Sequence, residues 1–287
     1  MGTWTLEDPD KLTFDEVHRV LVKTVEGMVS VVGSDDQPTL ELSELSGEPL
    51  RVQHDGVTLT IDYERPWRPW PLAWLTQSGQ RRKAVLTLAV PRDCRVELKV
   101  VSASLMVGGL QAPVDVHTVS GEITLAGLRG PVEAESVSGP VQASGVTGDL
   151  EARTVSGPVQ ASGVTGDLSA QTVSGDLTLA EGGGGSVRGR TVSGAVTIDL
   201  LASGDRDINL TSVSGDLTVR LPETSDLQVK LQSTSGQVSS AFEQLERDRT
   251  PGRYTAWGRL GAGTGRLRAA STSGHVALLR RAPEASL

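Results

Sequence analysis

Residues 137 to 172 are one nine-residue phrase written four times, VSGPVQASG, VTGDLEART, VSGPVQASG and VTGDLSAQT. No other feature of the chain restricts its fold as tightly. The phrases alternate, so the unit is eighteen residues: two short strands and two turns, too small to bury a core alone. It must stack on copies of itself. Stacking in parallel register makes a β-solenoid, in which each coil adds about 4.8 Å and pairs its backbone with the coils above and below.

Within a phrase the odd positions hold Val, Gly, Val or Leu, and Ala, and the even positions are mostly polar. That period of two is the strand signature, and it places the odd residues, the first Val included, on the inner face. An odd phrase length would reverse every side chain at the next phrase, so each phrase must break parity once. The Gly of V-S-G or V-T-G and its hydroxyl neighbour are the expected break. Gly reaches φ > 0 without a clash, and Ser or Thr bonds nearby backbone in a turn.

V-S-G or T-S-G recurs at Val119, Val137, Val155, Val173, Val192, Val213, Thr234 and Thr272, at spacings of 18, 18, 18, 19, 21, 21 and 38. Alignment on it predicts an inward column Ile123, Val141, Val159, Leu177, Val196, Leu217, Val238, Val276. A second is Val132, Leu150, Leu168, Val187, Ile208, Val229, Leu267. Outward, one face stacks Thr124, Gln142, Gln160, Thr178, Thr197, Thr218 and Ser239, a neutral ladder expected to satisfy itself across strands. The other face is charged: Glu133, Glu151, Arg188, Lys230 and Arg268 in one column, His117, Glu135, Arg153, Gln171 and Arg190 in the next. Its sign runs from acidic to basic along the stack, which could orient head-to-tail association. Departures from 18 mark corner loops at Gly182 to Gly185 and Leu201 to Asp205, and the long step holds an excursion over residues 241–255.

The N-terminal third is less regular. Residues 1–16 read as a loose arm, and residues 17–100 as irregular coils or a cap, which a solenoid needs to cover strand edges. The regular solenoid is expected over 101–280, with a tail at 281–287. An insertion at 65–83 interrupts the cap with RPWRPWPLAW. Its Pro residues exclude a central strand. Trp67, Trp70 and Trp74 beside Arg65 and Arg68 make either a lid over the solenoid or a contact surface for lipid, glycan or protein, since Trp and Arg are favoured anchors.

The net charge of −8 argues against a general binder of nucleic acid or anionic membrane, although local basic patches could still bind either; nucleic acid is not an expected partner. The single Cys94 forms no intramolecular disulfide. The first twenty residues carry five acids and no apolar run, which is not a signal peptide. No apolar stretch approaches the 18 residues of a membrane span. The expected location is cytoplasmic, at most peripheral to the inner membrane.

The V-x-V pattern near the start, the strand ending at Val90-Pro91 and the repeated T-V-S-G-D-L phrases resemble the bacterial putative-adhesin family of β-strand-repeat domains, over about Val17 to Leu279. The resemblance implies a β-repeat fold, an association with cell-envelope stress or the cell surface, and no catalytic residue. The repeat length is also similar to that of bactofilins, parallel β-helices that polymerise end to end.

Candidate chemistry is sparse. Asp149 and Asp167 should lie one coil apart, roughly 5 Å, near the spacing of paired carboxylates in retaining glycosidases. Each follows a Gly, however, and Asp176 and Asp216 occupy the matching place in the other phrase, which is the pattern of turn-capping Asp. His18, His54, His117 and His275 share no metal-ligand spacing. GRLGAGTG at Gly258 to Gly265 lacks the Lys-Ser/Thr ending of a phosphate loop and reads as a turn. No cofactor, metal or catalytic site is expected.

The expected molecule is therefore an all-β, single-stranded parallel β-helix (β-solenoid), right-handed by the rule for parallel crossovers, with coils of about 18 to 21 residues. About 9 to 13 coils would make a rod of roughly 45 to 60 Å. Its expected function is a non-catalytic structural or interaction scaffold, with protein, including its own copies, as the first partner. The alternative is a binding module using the Trp-rich insertion on lipid, glycan or protein. A polysaccharide-active enzyme is the remote alternative.

Overall fold

A computed structural model describes residues 2–63, 82–180, 184–201, 206–250 and 252–281. Its 28 strands form a β-solenoid, and no helix among the described residues is long and apolar enough to cross a membrane. The chain divides into two compact units, residues 1–139 and 140–287.

In the second unit the eighteen-residue phrase forms coils as its period requires. Val141–Ser144, Val159–Ser162, Leu177–Ala180, Val196–Asp199 and Leu217–Leu221 stack in parallel on one sheet. Leu150–Thr154, Leu168–Gln171, Val187–Arg190 and Asp207–Ser212 do so on the other. Val159 faces Leu177, Leu177 faces Val196 and Leu168 faces Val187, so the inward columns have the expected register. Both columns are buried, except that Val238 is only half-buried. A fully buried Val or Leu contributes about 1.5–3 kcal/mol.

Two expectations about the repeats need correction. The first is the order of the last coils. Gly265–Ser271 lies between Asp207–Ser212 and Leu227–Ser233, and Val276–Arg280 between Leu217–Leu221 and Val238–Ser240. The C-terminal coil is thus inserted beneath the coil that precedes it in sequence, and Ala277 separates Thr218 from Ser239 in the neutral ladder. Burial explains the exchange. Leu267, Val276 and Leu278 fill the inserted coil completely, whereas the outermost coil ends in Val238, Ser239 and Ser240, which tolerate an edge. The excursion forms an antiparallel hairpin, Glu246–Thr250 with Arg253–Leu260, added to the outer side of Leu227–Ser233.

The second correction concerns the corners. Val155, Val173, Val192 and Val213 of V-S-G point outward, 44 to 49% exposed, whereas Val146 and Val164 of V-T-G are buried. The residue before V-S-G decides this. Its hydroxyl is buried and accepts the N–H of the corner glycine, as Thr172 Oγ1 does from Gly175 at 2.9 Å and Thr191 Oγ1 from Gly194 at 3.0 Å. The turn so closed carries the next two residues outside. Ser193 Oγ then donates to the Val173 carbonyl of the coil below at 3.3 Å.

In the first unit Arg19–Thr24, Arg95–Val100, Val114–Thr118 and Val132–Ser136 stack in parallel on one sheet. Lys83–Pro91, Glu26–Ser34, Ser104–Gly108 and Ile123–Ala126 form the other. Antiparallel strands extend both sheets: Leu50–Asp55 with Thr58–Tyr63, and Thr39–Ser46 with Lys83–Pro91. Residues 1–16, expected as a loose arm, contribute two strands. Gly2–Leu6 pairs with Leu50–Asp55 and Asp10–Thr13 with Thr39–Ser46. They are held by Phe14, 3% exposed, whose ring meets Trp4 edge-on at 5.7 Å and His54 at 5.3 Å.

Candidate functional site

Arg65, Trp67, Arg68, Trp70 and Trp74 lie outside the described residues. At the margins of that insertion, the Arg82 guanidinium stands 5.4 Å from the centre of the Tyr63 ring and 2.7 Å from Glu48. The Tyr63 hydroxyl lies 3.3 Å from Thr24 Oγ1, and burial raises its pKa.

The aspartates of the repeat are occupied by backbone. Asp149 accepts the N–H of Asp167 at 2.9 Å, Asp167 that of Ser186 at 2.8 Å, Asp176 that of Ala195 at 2.8 Å and Asp216 that of His275 at 2.7 Å. Each carboxylate caps the next coil, a singular catalytic pair being absent among them. His18 meets Glu16 at 2.9 Å, His117 meets Glu135 at 3.1 Å, and His275 Nδ1 accepts the Gln237 N–H at 3.0 Å. Among the described residues no three His, Cys, Asp or Glu side chains are grouped as metal ligands. Cys94 is buried, and burial first, then Asp93, pushes its thiol up to about 12. Asp226 Oδ1 accepts the N–H of Ala262 at 2.7 Å, so GRLGAGTG is a glycine turn pinned by a carboxylate.

The charged face is where the structure adds most. In the first unit three of its cations are matched: Arg19 and Lys99 flank Glu97 at 3.0 and 2.6 Å, and Arg95 meets Asp115 at 3.0 Å. Lys23, beside Lys99, forms no ion pair among the described residues. The hydrogen bond from Lys99 is the largest influence lowering the Glu97 pKa; burial opposes it and Arg19 adds to it. In the second unit Glu151 pairs with Arg153, and beyond it the face becomes mainly cationic, with Asp207 as the outward cross-strand neighbour of Arg266. Between Lys230 and Arg268 the chain carries seven Lys and Arg against three Asp and Glu.

Strand alternation delivers these cations to one surface. Arg266 and Arg268 alternate with buried Leu267 and Ala269, and Lys230 alternates with buried Val229 and Leu231. Lys230 is the direct cross-strand partner of Arg268 on one side and of Trp257 on the other, and Gln228 of Arg266 and Arg259. Together with Arg253 they line an open groove of about 720 Å³. Trp257 stands in it 40% exposed, and Asp248 is its one acid. Among the described residues none of these five cations forms an ion pair, unlike Arg51, Arg92, Arg95 or Arg281, which pair with Asp62, Asp35, Asp115 and Asp199. Exposed cations left without counter-ions repel one another, and an anion entering the groove relieves that repulsion while accepting charge-assisted hydrogen bonds.

Lys230 and Arg268 were legible as one outward column. Trp257, Arg253, Arg259 and Arg266 were not, although the alternation of Arg253, Trp257 and Arg259 along RYTAWGRL carries the signal.

A family model described as Toastrack DUF4097 matches residues 22–279. Among solved structures, a "putative lipid binding protein" from Parabacteroides distasonis is 12% identical over 96% of each chain, with a TM-score of 0.44. A "putative adhesin" from Bacteroides fragilis is 11% identical over 98% of this chain and 97% of its own, with a TM-score of 0.43. A "putative cell adhesion protein" from Clostridium sporogenes is 12% identical over 96% and 100%, with a TM-score of 0.23. No curated protein matches the chain.

Proposed function

The chain belongs to the Toastrack DUF4097 family, and from that premise we propose that it is a non-catalytic interaction scaffold whose working surface is the cationic face of its C-terminal coils. The observation that carries this reading is the group of unpaired cations around Trp257 in a chain of net charge −8. Hydrogen-bonded strands on both sides of Gly265–Ser271 and Leu227–Ser233 fix the Cα positions of Arg266, Arg268 and Lys230. The surface is therefore preorganised, and a ligand need order only side chains on binding.

Such a module suits cell-envelope maintenance, the setting that the family resemblance implies. The segment with Trp67, Trp70 and Trp74 is proposed as a second contact surface for lipid, glycan or protein. Self-association through the C-terminal hairpin is opposed by its own chemistry. The edge strand Glu246–Thr250 is exposed throughout and alternates Glu, Arg, Asp and Arg, and charged edges discourage strand addition.

The test is retention on a sulfonate cation exchanger at pH 7 and low salt. The wild-type chain is expected to be retained in spite of its net negative charge, and Lys230→Glu with Arg268→Glu to flow through. Flow-through of the wild type, or equal retention of the variant, would contradict the reading.

A further inference from the structure

A second hollow adjoins the groove on the same face. It measures about 110 Å³ and is bordered by Gln171, Arg188, Arg190, Asn209 and Thr211. Asn209 is the direct cross-strand partner of both Arg188 and Arg268. The outward residues of successive hydrogen-bonded strands thus run Arg188, Asn209, Arg268, Lys230, Trp257. Four steps of about 4.8 Å make a track of roughly 19 Å.

We propose that this track binds an anionic polysaccharide, a sugar chain carrying carboxylate, sulfate or phosphate groups; the inference rests on the cationic face being the working surface. A track of this length, with a cation at one end, two more in its middle and Trp257 at the other end, fits an extended polymer with repeated charges better than a single headgroup. Arginine forks match carboxylate, sulfate and phosphate oxygens in pairs. Between the cations stand Asn209, Thr211, Gln171 and Gln228, groups that hydrogen-bond to sugar hydroxyls without adding charge. Trp257 supplies a flat apolar surface with a polar edge, suited to the C–H face of a sugar ring.

Other polyanions fit less well. A membrane surface is gripped by a row of apolar side chains that enter the acyl boundary, and Trp257 is the one large apolar side chain exposed in this groove. Single-stranded nucleic acid is held by stacking successive bases on several aromatic rings, and this face presents one.

The experiment titrates the full chain, at pH 7 and low salt, with polygalacturonate, dextran sulfate, unsubstituted dextran, oligothymidylate and phosphatidylglycerol vesicles. Both charged glycans are expected to bind, with affinity falling as salt rises, and unsubstituted dextran not to bind. Lys230→Ala with Arg268→Ala should weaken glycan binding at least about tenfold, the loss of one or two charge-assisted hydrogen bonds. Arg188→Ala should weaken binding of long chains and leave a disaccharide fragment unaffected. Because these side chains are exposed, the melting temperature should not move, and Thr197→Ala on the opposite sheet should leave affinity unchanged. Glycan affinity insensitive to the Lys230 and Arg268 changes would overturn the proposal. So would oligothymidylate or vesicles binding through those residues while the glycans fail, which would leave the cationic-face reading standing. Failure of every polyanion, with flow-through on the sulfonate resin, would remove both.

Discussion

A methyl group on Gly175 would stand 2.0 Å from the carbonyl oxygen of Gly157 in the coil below, and one on Gly194 would stand 1.8 Å from that of Gly175. These corner glycines are required by the close approach of two backbones; their φ is not in the left-handed region. Gly56 makes the contrast, with φ +60 and open space around it. Gly175→Ala is expected to cost about 2–4 kcal/mol, because a coil must shift, and Gly56→Ala only about 1–2 kcal/mol of backbone strain. Urea unfolding measures both, and equal costs would contradict the account. The repeat made these glycines visible but not their reason. Period-two reading also turned the V-S-G valines inward, because it misplaced the break of parity. Alternation runs unbroken from Leu168 through the inward Thr172 to the outward Val173, and the turn that Thr172 closes on the Gly175 N–H leaves Ser174 outside as well.

At the scale of elements, register was readable and order was not. Equal residues in equal phrases must align, so Leu177 facing Val196 followed from spacing alone. Which coil lies next to which depends on how much apolar surface each can cover, and that is a tertiary quantity. The inserted coil predicts an unusual response to truncation. Ending the chain after Gly261 removes the strands that join Leu227–Ser233 and Val238–Ser240 to the rest of the sheets. That coil is then expected to be cut rapidly by trypsin at Lys230, and the melting temperature to fall by about 10 °C or more. A chain stacked in sequence order would lose only its last coil on this truncation. Persistent protection of Lys230 would therefore contradict the insertion.

For the molecule as a whole, the informative quantity is the local imbalance of charge and not its total. A net charge of −8 argues against a general polyanion binder, yet Arg19, Lys99 and Arg95 of the first unit's charged face are paired while, among the described residues, the five cations around Trp257 are not. The column of Arg188, Lys230 and Arg268 was legible because outward residues of aligned phrases must stack. Trp257 and its arginines belong to the antiparallel hairpin, which has no repeat to align, so the groove was invisible until the hairpin was placed against Leu227–Ser233. The most direct test is amide hydrogen exchange of the full chain with and without saturating dextran sulfate. The account predicts added protection centred on residues 227–233, 253–260 and 265–271 and extending to 187–190 and 207–212. Protection over residues 64–83 with none in those strands would contradict it and move the working surface to the Trp-rich insertion.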